Sequence, residues 1–143
     1  MNCRKKTCIN KDANKSNTLR EKGYLSVKVF NRLTNEPIAF ANINVYFLTF
    51  KGLYGEEGLA NLVASYTTNE NGEISLVELP VIDKRNSSIG TQYYMTVNHF
   101  RYHPVNLMNI QIYPNITVEY DVQLTPLTSP HPDYQFLITP DML

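Results

Sequence analysis

Residues 23–30 (GYLSVKVF) and 42–50 (NINVYFLTF) alternate apolar side chains with polar or aromatic ones through most of their length. Successive side chains of a strand point to opposite faces of a sheet, so a period of two indicates strands with one buried face. Four later segments share much of this pattern: ISLVEL at 74–79, QYYMTV at 92–97, NIQIYP at 109–114 and ITVEYDVQL at 116–124. Six or seven short strands at this spacing are typical of an all-β sandwich.

The alternation also predicts which side chains form the core. Those expected to point inward are Leu25, Val27, Val29, Ile43, Val45, Phe47, Val118, Tyr120, Val122 and Leu124. Lys28 falls on the opposite, solvent-facing side of its strand. No segment shows a convincing 3.6-residue period, so no helix is predicted.

Two turn motifs predict hairpins. Asn71-Gly72 follows a predicted strand at 59–67 and precedes Ile74, and Asn-Gly is a strong hairpin signal. Pro114-Asn115 separates the last two predicted strands and predicts a second hairpin. Both turns are therefore expected to join neighbours in one sheet.

Charge and proline content divide the chain into three parts. Residues 1–22 hold seven Lys/Arg and two acidic residues, a net charge of +5, whereas the remainder carries −5. We expect a basic disordered arm at 1–22, a sandwich domain at 23–126 and a proline-rich extension at 127–143. Docking of the arm on an anionic partner is the alternative, and a steep salt dependence would reveal it.

The expected location is the cytoplasm. No stretch is apolar enough to span a bilayer, and the basic N-terminus lacks the apolar core of a secretory signal. Both cysteines, Cys3 and Cys8, lie in the arm without nearby histidines, so they do not complete a zinc site. They are either free thiols or form disulfide cross-links between molecules of an assembly.

Catalytic and cofactor chemistry is not indicated. His99 and His103 would lie ~13 Å apart on an extended strand, too far to chelate one metal ion. No serine lies in a Gly-x-Ser-x-Gly elbow, and no glycine-rich phosphate loop is present. We therefore expect no enzyme activity, no metal or other cofactor, and no nucleotide or nucleic-acid ligand.

Two segments are candidate partner-binding surfaces. Leu53 and Tyr54 lie between glycines in an irregular stretch, where they would be hard to bury. Phe100, Arg101 and Tyr102 lie in a turn at a predicted sandwich end. Loops on a rigid scaffold often carry binding, and Tyr and Arg are favoured anchors. The alternative is that these aromatic side chains plug the ends of the sandwich.

The order of several motifs resembles the transthyretin-like, carboxypeptidase regulatory-like sandwich. These are an opening Gly-x-Leu-x-Val strand, a turn near Pro37-Ile38, the Thr-Asn-x-x-Gly turn at 68–72, an aromatic strand at 93–97 and a closing strand at 118–124. The resemblance implies about seven antiparallel strands in a Greek key.

At finer grain, GYLSVKVFNRLTNEPI, YTTNENGE, QYYMTVNHFRYHPV and NIQIYPNITVEYDVQLTPL resemble the N-terminal non-catalytic region of clostridial spore cortex-lytic enzymes. The likeness covers about residues 23–126, and a chain ending at Leu143 leaves no room for the lytic domains. It implies a non-catalytic interaction module that contacts a protein or peptidoglycan in spore assembly or germination. The alternative function is a structural coat protein, a homo-oligomer cross-linked through Cys3 and Cys8, in which 134–138 adds a strand to a neighbour's sheet.

Overall fold

Two sheets enclose the residues that alternate in the sequence. The computed structural model describes residues 21–127 and 135–138, and within these ranges the chain forms eight strands and no helix. The strands are β1 (Lys22–Asn31), β2 (Asn42–Lys51), β3 (Glu57–Thr67), β4 (Val77–Pro80), β5 (Gln92–Asn98), β6 (Val105–Ile110), β7 (Thr117–Leu124) and β8 (Gln135–Ile138). One sheet has the order β4-β1-β7 and the other β3-β2-β5-β6-β8.

This architecture confirms the predicted all-β sandwich, with seven strands between Lys22 and Leu124. Most neighbouring strands run antiparallel, as expected, whereas the β1–β7 and β6–β8 pairs run parallel. The pairing of β8 with β6 brings part of the predicted C-terminal extension to the edge of the larger sheet. The predicted N-terminal arm lies outside the described residues, and within those residues no helix is long and apolar enough to cross a membrane.

The core forms where the alternation predicts it. Leu25, Val27 and Val29 of β1 are at most 1% exposed, and Ile43 and Val45 of β2 are fully buried. Phe47 and Tyr120 pack against this cluster with part of each ring exposed. Each large aliphatic side chain moved out of water contributes about 1.5–3 kcal/mol, so this alternation dominates the stability of the sandwich.

The Asn71-Gly72 turn does not close a hairpin, and that prediction is wrong. β3 pairs with β2 in one sheet, whereas β4 pairs with β1 in the other, so the turn lies on a crossing between sheets. The Asn69 side-chain oxygen accepts hydrogen bonds from the backbone N–H of Asn71 and Glu73, which closes the turn locally. The Gly72 carbonyl then accepts from Val29 N–H at 2.8 Å. Gly72 has φ +71°, and a Cβ there would collide with the Val29 carbonyl.

The Pro114-Asn115 turn also lies on a connection between the sheets, so the predicted second hairpin is also wrong. β6 belongs to the larger sheet and β7 to the smaller one. The Asn115 N–H donates to Lys22 O at 2.8 Å, and Tyr24 N–H donates to Ile116 O at 2.9 Å. These bonds align the beginning of β7 with the beginning of β1, which produces their parallel pairing.

A buried threonine holds the entry to β2. The Thr68 hydroxyl donates to Ile38 O at 2.7 Å and accepts from Ala41 N–H at 2.9 Å. The Thr68 side chain is only 3% exposed, so water cannot replace either partner. Between these anchors Phe40 takes a left-handed φ of +62° and projects into solvent.

Replacing Thr68 by valine should therefore destabilise the sandwich. Thr68→Val keeps the shape but leaves the Ala41 N–H and the Ile38 carbonyl without their buried partner, which costs about 1–3 kcal/mol. Urea unfolding measures the change in the free energy of unfolding. Thr67→Val, one residue earlier on the exposed side, is the matched control and should change it by less than about 0.5 kcal/mol. Equal effects of the two substitutions would contradict the role assigned to Thr68.

Candidate functional site

Two loops meet at one end of the sandwich and leave a groove between them. One joins β2 to β3 and the other joins β4 to β5, and the space between them has a volume of about 560 Å³. The residues lining this loop groove are Phe50, Gly52, Leu53, Tyr54, Gly55, Ser88, Ile89 and Gly90. Leu53 is 85% exposed, Tyr54 89% and Ile89 97%, so the three most prominent side chains do not plug the sandwich.

Local chemistry holds Leu53 and Tyr54 outward. Gly52 and Gly55 both have positive φ, and Gly55 N–H donates to Gly52 O, which makes a tight turn with the two apolar residues at its tip. The Glu56 carboxylate accepts a hydrogen bond from Tyr54 N–H at 2.9 Å. Hydrogen bonds from the backbone N–H groups of Glu56 itself and of Tyr54 lower the pKa of Glu56. The loop is therefore held most firmly at pH values at which the Glu56 carboxyl group is ionised.

The second loop is ordered by its own polar groups. Asp83 accepts from the Arg85 backbone N–H at 3.0 Å and from the Asn86 side-chain amide at 2.8 Å. Gly90 has φ +85°, and a Cβ there would come within 3.0 Å of the Phe50 ring. The loop is thus seated against Phe50, and Ile89 remains outside.

The other predicted surface, at 100–102, divides into two parts. Tyr102 is half-buried against the core, and its hydroxyl accepts from the Asn31 side-chain amide at 3.2 Å. Tyr102 also forms a backbone bridge with Pro126. Phe100 is 77% exposed and lies below the Arg101 guanidinium, 5.3 Å from ring centroid to Cζ. Tyr102 closes the sandwich, whereas Phe100 and Arg101 project from it.

The two described histidines have separate environments. The His99 ring stacks on Phe100 with centroids 4.7 Å apart, and its Nδ1 accepts from the Arg101 N–H. Burial lowers the pKa of His99, and the nearby Arg101 charge lowers it further, against a hydrogen bond to the Ala39 backbone that raises it. His103 is buried, and its Nε2 has no hydrogen-bond partner among the described residues.

No arrangement for metal binding or nucleophilic catalysis stands out in the part of the chain that the structure describes. Within residues 21–127 and 135–138, no three His, Cys, Asp or Glu side chains are grouped to hold a metal ion. Cys3, Cys8 and His131 lie outside the described residues. The hydroxyl of Ser88, in the loop groove, pairs with the Thr91 hydroxyl at 2.9 Å rather than with a base.

A further surface, not among the predicted ones, is the outward side of the larger sheet. Tyr46 of β2 and Tyr94 of β5 are register partners and stack there with ring centroids 4.8 Å apart and planes at 14°. Beside them the Ser65 hydroxyl donates to the Asn44 side-chain oxygen at 2.7 Å. The available signal was the run of uncharged residues at alternate positions of 42–50 and 92–98, which lie side by side only once β2 and β5 are known to pair.

Comparisons with known proteins assign no family. No family model and no curated protein matches the chain. Among solved structures, (S)-allantoin synthase is 16% identical over 75% of this chain and 42% of its own, with a TM-score of 0.49. Catechol 1,2-dioxygenase from Acinetobacter sp. ADP1 is 15% identical over 85% of this chain and 59% of its own, also at 0.49. The group B streptococcus pilus 2b backbone protein is 13% identical over 76% and 43%, at 0.42.

The chain spans about half the length of these solved proteins. With TM-scores below 0.5 and such low identities, they give no basis for a substrate, a cofactor or a partner. The comparisons add no link to spore cortex-lytic enzymes either, so that resemblance remains a prediction.

Alanine substitutions should separate the aromatic residue that closes the sandwich from those that project. Tyr102→Ala removes a half-buried ring and should lower the free energy of unfolding by about 2 kcal/mol. Tyr54→Ala and Phe100→Ala remove exposed rings and should change it by less than about 0.5 kcal/mol. Thermal and urea unfolding of the three variants measure this, and a large loss of stability in Tyr54→Ala would show that its ring packs against the domain.

Proposed function

We propose that this protein is a non-catalytic interaction module that contacts a protein partner or peptidoglycan through the loop groove. The observation that carries the proposal is the convergence of Leu53, Tyr54 and Ile89, nearly fully exposed, from two separate loops. Single exposed apolar residues are ordinary, but a cluster around a groove is typical of a binding surface. Its volume lies in the range of small-molecule and side-chain pockets.

The ordered loops support this role. Binding that does not have to immobilise its loops loses less conformational entropy. Glycine turns, the Glu56 carboxylate and the Asp83 hydrogen bonds hold the two loops in place before any partner arrives. A central aromatic anchor such as Tyr54 is the residue type that most often dominates binding energy.

The same groove offers little for catalysis. The Glu56 carboxylate lies beside it, and its lowered pKa suits an ionised loop brace rather than a proton donor. The family resemblance over residues 23–126 places the module, as a hypothesis, in spore assembly or germination. This role, like the non-catalytic one, is part of the proposal.

The proposal predicts that groove substitutions abolish binding without unfolding the domain. The native chain and the double variant Tyr54→Ser, Ile89→Ser are sedimented with purified spore cortex peptidoglycan and used for crosslinking capture from spore extracts. We expect at least about a tenfold loss of the captured partner or polymer, comparable to loss of one interface anchor. Leu33→Ser, which removes a 73% exposed apolar side chain from the turn after β1, is the matched control. Undiminished capture by the folded double variant would refute the proposal.

The alternative, a structural assembly protein, is favoured by the free edge of β3. This 11-residue strand ends the larger sheet and, in the described part of the chain, pairs only with β2. Leu59, Leu62 and Val63 are about half exposed along it, and Glu57 at its start is its one charged residue. Long uncharged edges of this kind accept further strands. The segment expected to supply such a strand, 134–138, instead has its Gln135–Ile138 part paired with β6 of its own chain.

A charge on that edge tests the alternative. If copies assemble through β3, Leu62→Lys should convert the assembly to monomers in light scattering under reducing conditions. Reduction alone should dissolve it if Cys3 and Cys8 make the cross-links. A native chain that is monomeric with and without reductant at high concentration would exclude both forms of assembly.

A further inference from the structure

The outward side of the larger sheet carries no charge. We call this surface the outer sheet face: the even-numbered residues of β2 from 42 to 50 and of β5 from 92 to 98, residues 106 and 108 of β6, and the outward residues of β3 beside them. The residues between them, such as Ile43, Val45, Met95 and Val97, are fully buried, which fixes the direction of the alternation. A quarter to a third of an ordinary surface is charged, so about four or five charged residues would be expected here.

The outward side of the smaller sheet is the internal comparison. Lys28, Glu78, Glu119 and Asp121 all fall on its solvent-facing positions. The Lys28 Nζ lies 3.9 Å from Glu73 Oε1, which is typical of a solvent-exposed ion pair. The same chain therefore places charges on one outer face and none on the other.

The outer sheet face combines aromatic rings and neutral hydrogen-bonding groups with the apolar side chains of Leu48, Leu62 and Met108. The stacked Tyr46 and Tyr94 rings lie near its centre. Burial and the neighbouring Tyr46 raise the pKa of Tyr94, so its hydroxyl stays protonated and can donate. Asn44 and Thr96 flank the rings, and an amide side chain offers a donor and an acceptor at once. The Gln92 amide is engaged within the domain, donating to Gly90 O and accepting from Asn109 N–H. The four strands extend about 14 Å across and about 27 Å along β2.

The face continues into the loop groove through Phe50. A Cβ on Gly58 of β3 would lie 3.3 Å from the Phe50 ring, and one on Gly90 would lie 3.0 Å from it. The ring therefore spans from the sheet to the second loop. A long ligand lying on the sheet would reach the groove over Phe50, and the first charged residues of these strands that it would meet are the paired Lys51 and Glu57 at this end.

We propose that the outer sheet face binds an uncharged polysaccharide strand, with sugar rings packed on Tyr46 and Tyr94 and sugar hydroxyls paired with the surrounding amides and hydroxyls. The inference rests on the proposed function, because it names the glycan part of a peptidoglycan-like polymer as the ligand of this module. Sugar hydroxyls are donors and acceptors at once, as are the amide side chains that would meet them. A neutral surface and a neutral polymer leave no buried unpaired charge on binding.

Charge decides between this ligand and the other classes of polymer. Nucleic acids and acidic polysaccharides bind through Lys and Arg, which the outer sheet face lacks. Interfaces between copies of one chain are about two-thirds apolar at their core. Around the two tyrosines here, Asn44 and Thr96 lie on one side and the apolar Leu48 and Leu62 on the other. A neutral glycan matches both the missing charge and this mixture of apolar and hydrogen-bonding groups.

The test is titration of the full chain with chitopentaose and with cellopentaose. Binding is measured by calorimetry and by the chemical shifts of backbone amides. Polygalacturonate serves as the charged polymer. We expect saturable binding of a neutral pentasaccharide, at least about tenfold weaker in Tyr94→Ala, which loses one aromatic contact. Tyr94→Phe keeps the ring and should retain most of the affinity. Tyr24→Ala, on the outward side of the smaller sheet, is the matched control and should bind as the native chain does.

A second variant guards against loss of folding. Thr96→Lys adds a charge beside the tyrosines without removing a ring, and it should also weaken binding while its unfolding transition stays cooperative. Failure of both neutral pentasaccharides to bind, full binding by folded Thr96→Lys, or equal affinity for polygalacturonate would each overturn the inference. The inference would also be overturned if the native chain is a dimer and the Thr96→Lys variant is a monomer, because the outer sheet face would then be the contact between two copies. Any of these results with groove-dependent capture intact would leave the proposed function standing.

Discussion

The architecture depends on β1, because two of the connections between the sheets, through the Asn71-Gly72 and Pro114-Asn115 turns, are hydrogen-bonded to its backbone. Val29 N–H donates to the Gly72 carbonyl, and Val29 O accepts from Ile38 N–H at 2.9 Å. At the other end, Tyr24 N–H donates to Ile116 O and starts the parallel pairing with β7. The inward side of the same strand is almost fully buried. A strand so placed fixes which segments become neighbours, and with them the loops that form the groove.

The burial pattern could be predicted from the sequence, whereas the connections could not. Alternation identifies the inward residues because the two-residue period is a property of each strand alone. The Asn71-Gly72 turn satisfies its own hydrogen bonds through Asn69, and that local geometry is the same whether the next strand pairs with β3 or with β1. Long-range contacts, such as the one between Gly72 and Val29, decide whether the turn closes a hairpin or connects the two sheets. The local sequence of the turn does not predict such contacts.

The exposure of the candidate side chains could be predicted where a local rule decides it. Leu53 and Tyr54 project because glycines on either side form a tight turn, and that could be anticipated. Phe100 and Tyr102 are only two residues apart, and contacts with Asn31 and Pro126 determine that Tyr102 is the half-buried one. Ile89 was overlooked because its loop is polar overall. The stacked tyrosines were overlooked because Tyr46 and Tyr94 become neighbours only through strand pairing.

The distribution of charge separates two kinds of contact on this molecule. The sequence concentrates basic residues in 1–22, and the described domain places its charges on the smaller sheet, in loops and at the Lys51 and Glu57 ends of β2 and β3. Electrostatic attraction acts over about a Debye length, so a charged partner would be drawn to those regions. The outer sheet face has no such attraction to offer, and its selectivity has to come from shape and hydrogen bonding at contact. Such a surface suits a polymer already concentrated nearby, and the loop groove beside it could supply that concentration by holding a second part of the same assembly.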